Sequence, residues 1–590
     1  MGLLQKACET YDTFSRIAGI EQEGKEPLAP ISHSITRADL EITLDQNGAF
    51  LSARTVDKKE PKILIPVTEE SFGRTSAPCA HPLCDQLGYL APCNREKYSL
   101  YLAQLEDWES SGFSHPKLTA ILRYIQGETI LSDLSRCELI TVTETGAPEN
   151  EKLLVRWVVN GLGEQSGPCW RDRSLMQCFT RYYHSKLEAE APVFCMVSGQ
   201  SEAPATQHPK GVVSLNGNAK LISANDSHGF TYRGRFSEPS QAATVSYIAS
   251  QKAHNALRWL VANEGVIFGE RTFLCWNPAG KRTPMIHSSM QRGQENGTKA
   301  ATLTEYRQQL KNALAGWKQE LPDTSEVIVT AFDAATTGRL AVTCYSEFQA
   351  SDYLERLFHW EDTCLWENFQ FGIQSPSLYA IVNRAFGVPR NGKVETDPKI
   401  LGQQMQRLIS YRLNGAFFPL DMEKSLVERA SNLLLYEEKK FYEYSQRKEL
   451  LFTACAVIRK YRYDHFKEEW DMALDQENKD RSYLFGRLLA IAEIVEQSTY
   501  QGEDARETNA MRFQKTFSLR PMATWRLLEE KLRPYYKQLK PGLSGYYKKL
   551  TQEITALLDP KDPELNKKLE DVYLLGYYHQ RAYRNAKAED

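Results

Sequence analysis

Between residues 512 and 549 the chain carries ten basic side chains, Arg512, Lys515, Arg520, Arg526, Lys531, Arg533, Lys537, Lys540, Lys548 and Lys549, against two acids, Glu529 and Glu530. Trp525 and the pairs Tyr535-Tyr536 and Tyr546-Tyr547 are threaded through the same stretch. Positive charge interleaved with flat rings suits single-stranded nucleic acid, where cations hold phosphates and rings stack on bases. The alternative is a solvated basic helix face with its tyrosines in the core. Two polar loops offer a second chemistry. Residues 73–89 supply Arg74, Thr75, Ser76, Asp85, Gln86 and Tyr89, types that contact phosphates and base edges. Asn216, Asn218, Asn225 and His228 form another polar stretch. Asn and Gln can pair bidentately with adenine in the major groove or act in the minor groove. Each Asn could equally be a turn or cap residue.

Catalytic patterns are harder to find. The chain has no phosphate-cradling glycine motif, no nucleophile elbow and no H-E-x2-H. Asp333, or the Asp471/Asp475 pair, could hold Mg²⁺, but paired carboxylates more commonly sit in caps and salt bridges. Cys79, His81, Cys84 and Cys93 are metal-capable, yet their spacing lacks paired C-x2-C knuckles, so a Cys-rich loop and core is expected. His579 reads as a packed histidine on a helix. The expectation is no enzyme, no metal and no cofactor.

Charge and composition narrow the classes. The formal net charge is −3, so any nucleic-acid contact must come from local patches. No run approaches the roughly 20 apolar residues that span a bilayer. The N-terminus lacks a signal-peptide core, and Lys6 rules out the myristoylation pattern. Twelve scattered cysteines fit reduced thiols. The chain reads as cytoplasmic, with no membrane partner.

The elements that must position these residues give an α+β fold, a mixed α/β N-terminal and central region followed by an all-α C-terminal bundle. Helix is expected over 1–20, 97–108, 117–125, 170–186, 242–262 and 304–320. Strands are expected over 31–36, 40–44, 50–56, 62–67, 138–143, 152–159, 191–197, 272–276, 326–332 and 340–345. Asp45-Gln-Asn-Gly48 marks a hairpin turn. Residues 277–300 read as a mobile polar insertion, and 389–399 as a link to the helical back. Domains are expected at 1–210, 211–390, 391–471 and 472–590. Leu484, Leu488, Ile491 and Val495 read as one buried helical stripe. Tyr483-Leu-Phe-Gly486 echoes Tyr573-Leu-Leu-Gly576, which reads as chance.

Several strings share a source. Tyr483-Leu-Phe-Gly-Arg-Leu-Leu-Ala490 and Leu575-Gly-Tyr-Tyr-His-Gln-Arg581 resemble the C-terminal signatures of the large subunit of type I-C CRISPR interference (Cascade) complexes. The first departs slightly, with Phe485 before the glycine and Leu489 for the usual aromatic. Val213-Ser-Leu-Asn216, Asn225, His228-Gly229, His254-Asn-Ala-Leu257 and Trp276 track that family's central region in order. Arg74-Thr-Ser-Ala-Pro78, Cys84-Asp-Gln86 and Gly88-Tyr-Leu90 are similar to its front loop, with Ala77 for Gly and Gln86 for Asn. Gly338-Arg-Leu-Ala-Val342 resembles another of its strings.

The resemblance implies a non-catalytic subunit that recognises a short PAM, helps open the duplex and recruits the helicase–nuclease. Its implied partners are CRISPR RNA, target double-stranded DNA, and the backbone, crRNA-processing and small subunits. The two polar loops would then read the PAM. The C-terminal basic face, including Tyr535 and Tyr536, would take the displaced strand. It also implies a small subunit translated from inside the same gene. Met472 is the candidate start, behind Lys467-Glu-Glu469, and would give a small-subunit-like bundle over 472–590. A Mg²⁺-dependent nuclease and a protein-only scaffold are the competing readings.

Overall fold

Leu40, Ile42 and Leu44 alternate with polar residues and point to one side, as a half-buried strand requires. The structure is a computed structural model. It describes residues 2–74, 77–144, 146–215, 217–223, 236, 244–291, 299–334, 338–368, 370–390, 393–436, 445–500 and 506–588, with side chains to 583. The chain divides into two units, Met1–Ile267 with Arg271–Arg282 and Glu326–Glu347, and Phe268–Glu270 with Thr283–Ser325 and Phe348–Asp590. The fold is α+β, as the pattern of elements predicts.

The first unit opens with α1 (Leu3–Phe14), then β1 (His33–Thr36), β2 (Leu40–Leu44), β3 (Phe50–Thr55) and β4 (Ile63–Pro66). β2 and β3 form the expected hairpin, with the Asp45 carboxylate accepting from Asn47 N and Ala49 N, each at 2.8 Å. Gly48, at φ +86°, closes it against the Ala120 carbonyl; a Cβ there would lie 2.5 Å from that oxygen. Next come α2 (Glu69–Gly73), α3 (Leu87–Leu90), α4 (Arg95–Glu109), α5 (Pro116–Gln126), α6 (Ile130–Arg136), β5 (Val155–Val159), β6 (Gly167–Pro168) and α7 (Arg173–Leu187). β5 runs parallel to β2, so the sheet order is β3-β2-β5-β6. The core beside it holds Tyr101, Trp108, Trp157 and Phe179.

Two strand expectations fail here. Residues 138–143 contribute only a bridge between Val142 and Pro148. Within 191–197 only β7 (Val193–Phe194) pairs, with β8 (Ser201–Glu202), and Phe194 is exposed. Both runs carry β-favouring residues, but neither finds a neighbouring sheet to extend. The helix expected from 242 is α8 (Tyr247–Glu264); Ser246 caps it by accepting from Ala249 N. Residues 242 and 243 lie outside the described residues. β9 (Val266–Phe268) and β10 (Arg271–Trp276) follow. α9 (Leu303–Glu320) precedes β11 (Glu326–Asp333) and β12 (Ala341–Gln349), giving the sheet order β12-β11-β10-β9.

In the second unit, part of the stretch read as a mobile insertion is a packed strap. Ile286 and Met290 are buried, and Arg412, paired with Glu361 at 2.9 Å, donates to the Ile286 and Ser288 carbonyls. Residues 292–298 lie outside the described residues. α10 (Ala350–Thr363) leads to a small hairpin, β13 (Trp366–Asn368) with β14 (Gly372–Gln374), then α11 (Leu378–Phe386). The expected link at 389–399 is largely a second hairpin, β15 (Val388–Arg390) with β16 (Lys393–Glu395), whose Val394 is buried. The rest is helical: α12 (Pro398–Asn414), α13 (Leu420–Ala430), α14 (Gln446–Phe466), α15 (Arg481–Gln497), α16 (Asn509–Leu519), α17 (Pro521–Gln538), α18 (Pro541–Ala556) and α19 (Tyr573–Ala588).

α15 is more than a stripe: every residue from Ser482 to Glu496 is buried, and α16 to α19 all pack on it. The sequence echo has a physical cause. A Cβ on Gly486 would lie 1.9 Å from the Tyr573 carbonyl, and one on Gly576 2.2 Å from that of Tyr483. Each glycine admits the other string's backbone, so the two helices cross at van der Waals distance.

Candidate nucleic-acid interface

The front loop is a locked structure. Arg74 forks onto Asp85, with Nη1 to Oδ2 at 2.8 Å and Nη2 to Oδ1 at 2.6 Å, and also donates to the Cys79 carbonyl. Asp85 is wholly buried and accepts further from His81 N and Gln86 N. Burial pushes its carboxyl upward while Arg74 opposes the rise. The Arg74 guanidinium also stacks over the Tyr89 ring at 4.6 Å, and the Tyr89 hydroxyl accepts from Cys79 N.

Below them Leu83 sits at φ +64°, a strained setting for a leucine. Its carbonyl accepts from Tyr101 Oη at 2.6 Å and Trp157 Nε1 at 2.7 Å, which hold it there. Arg74, Asp85 and Tyr89 therefore fix the loop's shape. Gln86 is half-buried, and among the described residues its carboxamide makes no hydrogen bond. Ala77 and Pro78 are exposed; Thr75 and Ser76 lie outside the described residues.

Residues 206–210 lie against this loop, where Gln207 approaches Gly73. Buried Glu69 accepts from Thr206 N, Thr206 Oγ1 and Gln207 N, and burial pushes its carboxyl up to about 7. From there the chain turns between Lys210 and Lys220, which bridge one another, and Lys220 bridges Arg339. Exposed Asn218 is in that turn, backed by buried Val212, Val213 and Ala219. Asn216, Asn225 and His228 lie outside the described residues.

Positive charge prevails here, with Glu69 the acid that acts on Lys220. Burial and then the Arg74 charge lower Lys210; burial and then Lys210 lower Lys220. His81 is lowered to about 3 by burial, Arg74 and Lys210, and His208 to about 3 by burial, His254 and Lys220. Among the described residues neither lysine has a carboxylate within ion-pair distance. A row of half-buried, unneutralised cations beside a rigid polar loop suits a phosphate backbone.

The basic segment of the second unit occupies α16, α17 and α18. Arg512, Lys515, Arg520, Arg526, Lys531, Arg533, Lys537, Lys540, Lys548 and Lys549 are all exposed. Among the described residues only Lys549 of these has an ion pair, with Glu553 at 3.7 Å. The rings divide. Trp525 and Tyr547 are buried in the bundle, whereas Tyr535 and Tyr536 are half-exposed and Tyr546 is exposed. Lys548 lies over the Tyr536 ring at 5.5 Å and Arg506 over Tyr535 at 6.0 Å.

The carboxylates weighed for Mg²⁺ are otherwise engaged. Asp333 pairs with Arg271 at 3.0 Å, Asp475 accepts from Glu477 N, and Asp471 from Met472 N. Of the cysteine cluster, Cys84 is in the core and the His81 ring bonds Ser71 Oγ. Among the described residues no three His, Cys, Asp or Glu converge as metal ligands. His579 is buried against Trp366, bonded to Tyr483 and lowered to about 4 by burial. No helix among the described residues is long and apolar enough to cross a membrane.

The family model described as CRISPR-associated protein (Cas_Csd1) matches residues 9–584. The chain belongs to that family. Membership places it in the Cascade-type CRISPR machinery, alongside other Cas subunits. A search of curated proteins finds none that matches it. In this Cas_Csd1 chain, sequence reasoning passes over Lys210 and Lys220. Their only sequence signal is position, one at each end of the Val-Val-Ser-Leu-Asn string.

Proposed function

We propose that this chain is the non-catalytic DNA-binding large subunit of a type I-C surveillance complex. Guide RNA reads the target by pairing, while the protein reads the PAM and the backbone. Gln86 contacts PAM base edges from a position that Arg74, Asp85 and Tyr89 hold in shape, and Thr75 and Ser76 are the further candidates for that contact. Rigidity lowers the ordering cost of binding. Lys210, Lys220 and Arg339 take the flanking phosphates, and Asn218 adds a polar contact. The exposed face of α16, α17 and α18, with Tyr535 and Tyr536, receives the displaced strand. The complex then presents the opened site to the helicase–nuclease.

The observation that carries this reading is the pair Lys210 and Lys220 beside the locked loop. Unneutralised, half-buried positive charge is costly in a fold and is relieved by a polyanion. The purified chain is incubated with labelled duplex DNA and Mg²⁺ across a salt series. Binding without cleavage is expected, and Lys210→Ala with Lys220→Ala should lower the salt slope by about 1.8. Cleavage abolished by Asp333→Ala would establish the nuclease instead. An unchanged slope would remove the lysines from the interface.

The same reading makes 472–590 a separately translated small subunit. α14 ends at Lys467, whose φ is +61°, and residues 468–480 have no regular structure. A product beginning at Met472 would therefore contain α15 to α19 uncut.

A further inference from the structure

His254 and Arg258 lie one turn apart on α8, on the same side of the helix. The Arg258 guanidinium sits over the Phe72 ring at 5.6 Å, and its one hydrogen bond is a long one, to Ser34 Oγ at 3.4 Å. Among the described residues no carboxylate is within ion-pair distance of it. Glu26 attracts it from further away, but both Glu26 oxygens are held by Lys62 at 2.8 Å. A guanidinium has five N–H donors, so most of those on Arg258 have no acceptor among the described residues. Burial lowers its affinity for the proton, the opposite of what an ion pair would do.

The surroundings add further donors and no available acid. The His208 and His254 rings stack at 5.9 Å. Ser250 serves both: its Oγ is 2.8 Å from His208 Nδ1, and its carbonyl accepts from His254 Nδ1 at 2.7 Å. Both Nε2 atoms are buried without a partner. With the Ser250 hydroxyl donating to Nδ1, His208 presents an Nε2–H that nothing accepts. His254 keeps a lone pair on Nε2 and is not a donor. The Lys220 charge acts on both rings. Glu69, whose charge acts on Lys220, is committed to Thr206 and Gln207.

An arginine kept for packing alone would be paired or replaced by an apolar residue of similar length. We propose that Arg258, held between the Phe72 ring and Ser34, anchors a site for one phosphate group, which takes a backbone phosphodiester of the bound DNA. The ligand's source rests on the DNA-binding reading above; the anion site does not. A fork of N–H donors matches two phosphate oxygens, and the Phe72 ring holds the fork's plane.

The test uses the full chain as wild type, Arg258→Met and Arg258→Lys. Melting temperature is measured with and without inorganic phosphate, and duplex affinity across a salt series. Arg258→Met should melt higher than wild type without ligand, by about 2–4 °C. It should lose the phosphate-induced rise in melting temperature, bind duplex roughly tenfold more weakly and show a salt slope smaller by about 0.9. Arg258→Lys should fold and bind duplex more weakly than wild type. A methionine variant that melts lower and keeps its duplex affinity would make Arg258 structural and overturn the site. Should that variant not fold, a lysine variant with wild-type affinity and phosphate response would overturn it equally. Phosphate stabilising the wild type but not Arg258→Met, with no duplex binding by either, would uphold the anion site and remove the DNA reading.

Discussion

Arg74 and Asp85 look in the sequence like residues that touch DNA, and the structure spends them on each other. A polar side chain's type shows what it can bond to, but its partner is set by three-dimensional neighbours such as Leu83 and Tyr101, which no local spacing reveals. Gln86 is legible in the sequence and remains available in the fold; Lys210 and Lys220 become visible only once the chain turns Lys210 toward Arg74 and bridges Lys220 to it. Breaking the buried pair leaves an uncompensated charge. Arg74→Ala or Asp85→Ala should therefore lower unfolding free energy by about 3–5 kcal/mol in chemical denaturation. A loss under about 1 kcal/mol would mean the pair is solvated. Glu69 supplies a pH signature. Its folded value of about 7 lies above the ordinary 4.5, so its contribution is fully present below pH 4.5 and is lost as pH rises through 7. Relative to Glu69→Gln, the wild type should lose on the order of 3 kcal/mol across that window. Parallel pH curves for the two proteins would contradict the burial of this carboxyl.

Elements are most legible where periodicity meets a cap or a turn. β2 forms as predicted because its alternation agrees with the Asp45 turn, and α9 because Thr302 and Glu305 form a capping box. The failures share one cause: at 191–197 and 389–399 composition is a poor guide, because pairing partners decide the structure. The crossing of α15 and α19 is written in the sequence as a repeated Tyr-Leu-x-Gly, but its meaning needs both helices in space. Gly486→Ala and Gly576→Ala should each destabilise by at least about 1–3 kcal/mol, since backbone and not a flexible side chain stands in the way. Their effects should combine non-additively, because both glycines serve one crossing. Additive losses, or none, would show the helices further apart. For the internal start, a C-terminally tagged gene should yield a second short band that disappears with Met472→Leu. Persistence of that band, or its absence from the start, would make 472–590 a domain of the long chain alone.

At the scale of the whole molecule, a near-neutral chain gathers unpaired positive charge, among the described residues, at two places, one in each unit. One comprises Lys210 and Lys220 beside the front loop, with Arg258 over the Phe72 ring; the other is the face of α16, α17 and α18. Composition hides this, because net charge averages over the many ion pairs elsewhere. The ordered strings from the front loop to Leu575-Gly-Tyr-Tyr578 make the family legible, since several of them in sequence constrain a chain more than any one does. The two charged places should respond to different forms of DNA, and one crossed binding measurement separates them. The complex assembled with its guide RNA is titrated with a PAM-bearing duplex and with the same target already opened as a bubble. Gln86→Ala should weaken binding to the closed duplex by about 1–3 kcal/mol, roughly 5- to 150-fold, and leave the bubble nearly unchanged. Neutralising Arg526, Lys531, Arg533 and Lys537 should instead lower the salt slope on the bubble by about 0.7 for each phosphate no longer held, with PAM preference intact. Equal weakening of both substrates by Gln86→Ala, with no change of slope from the basic-face variant, would contradict the division of labour proposed for this chain.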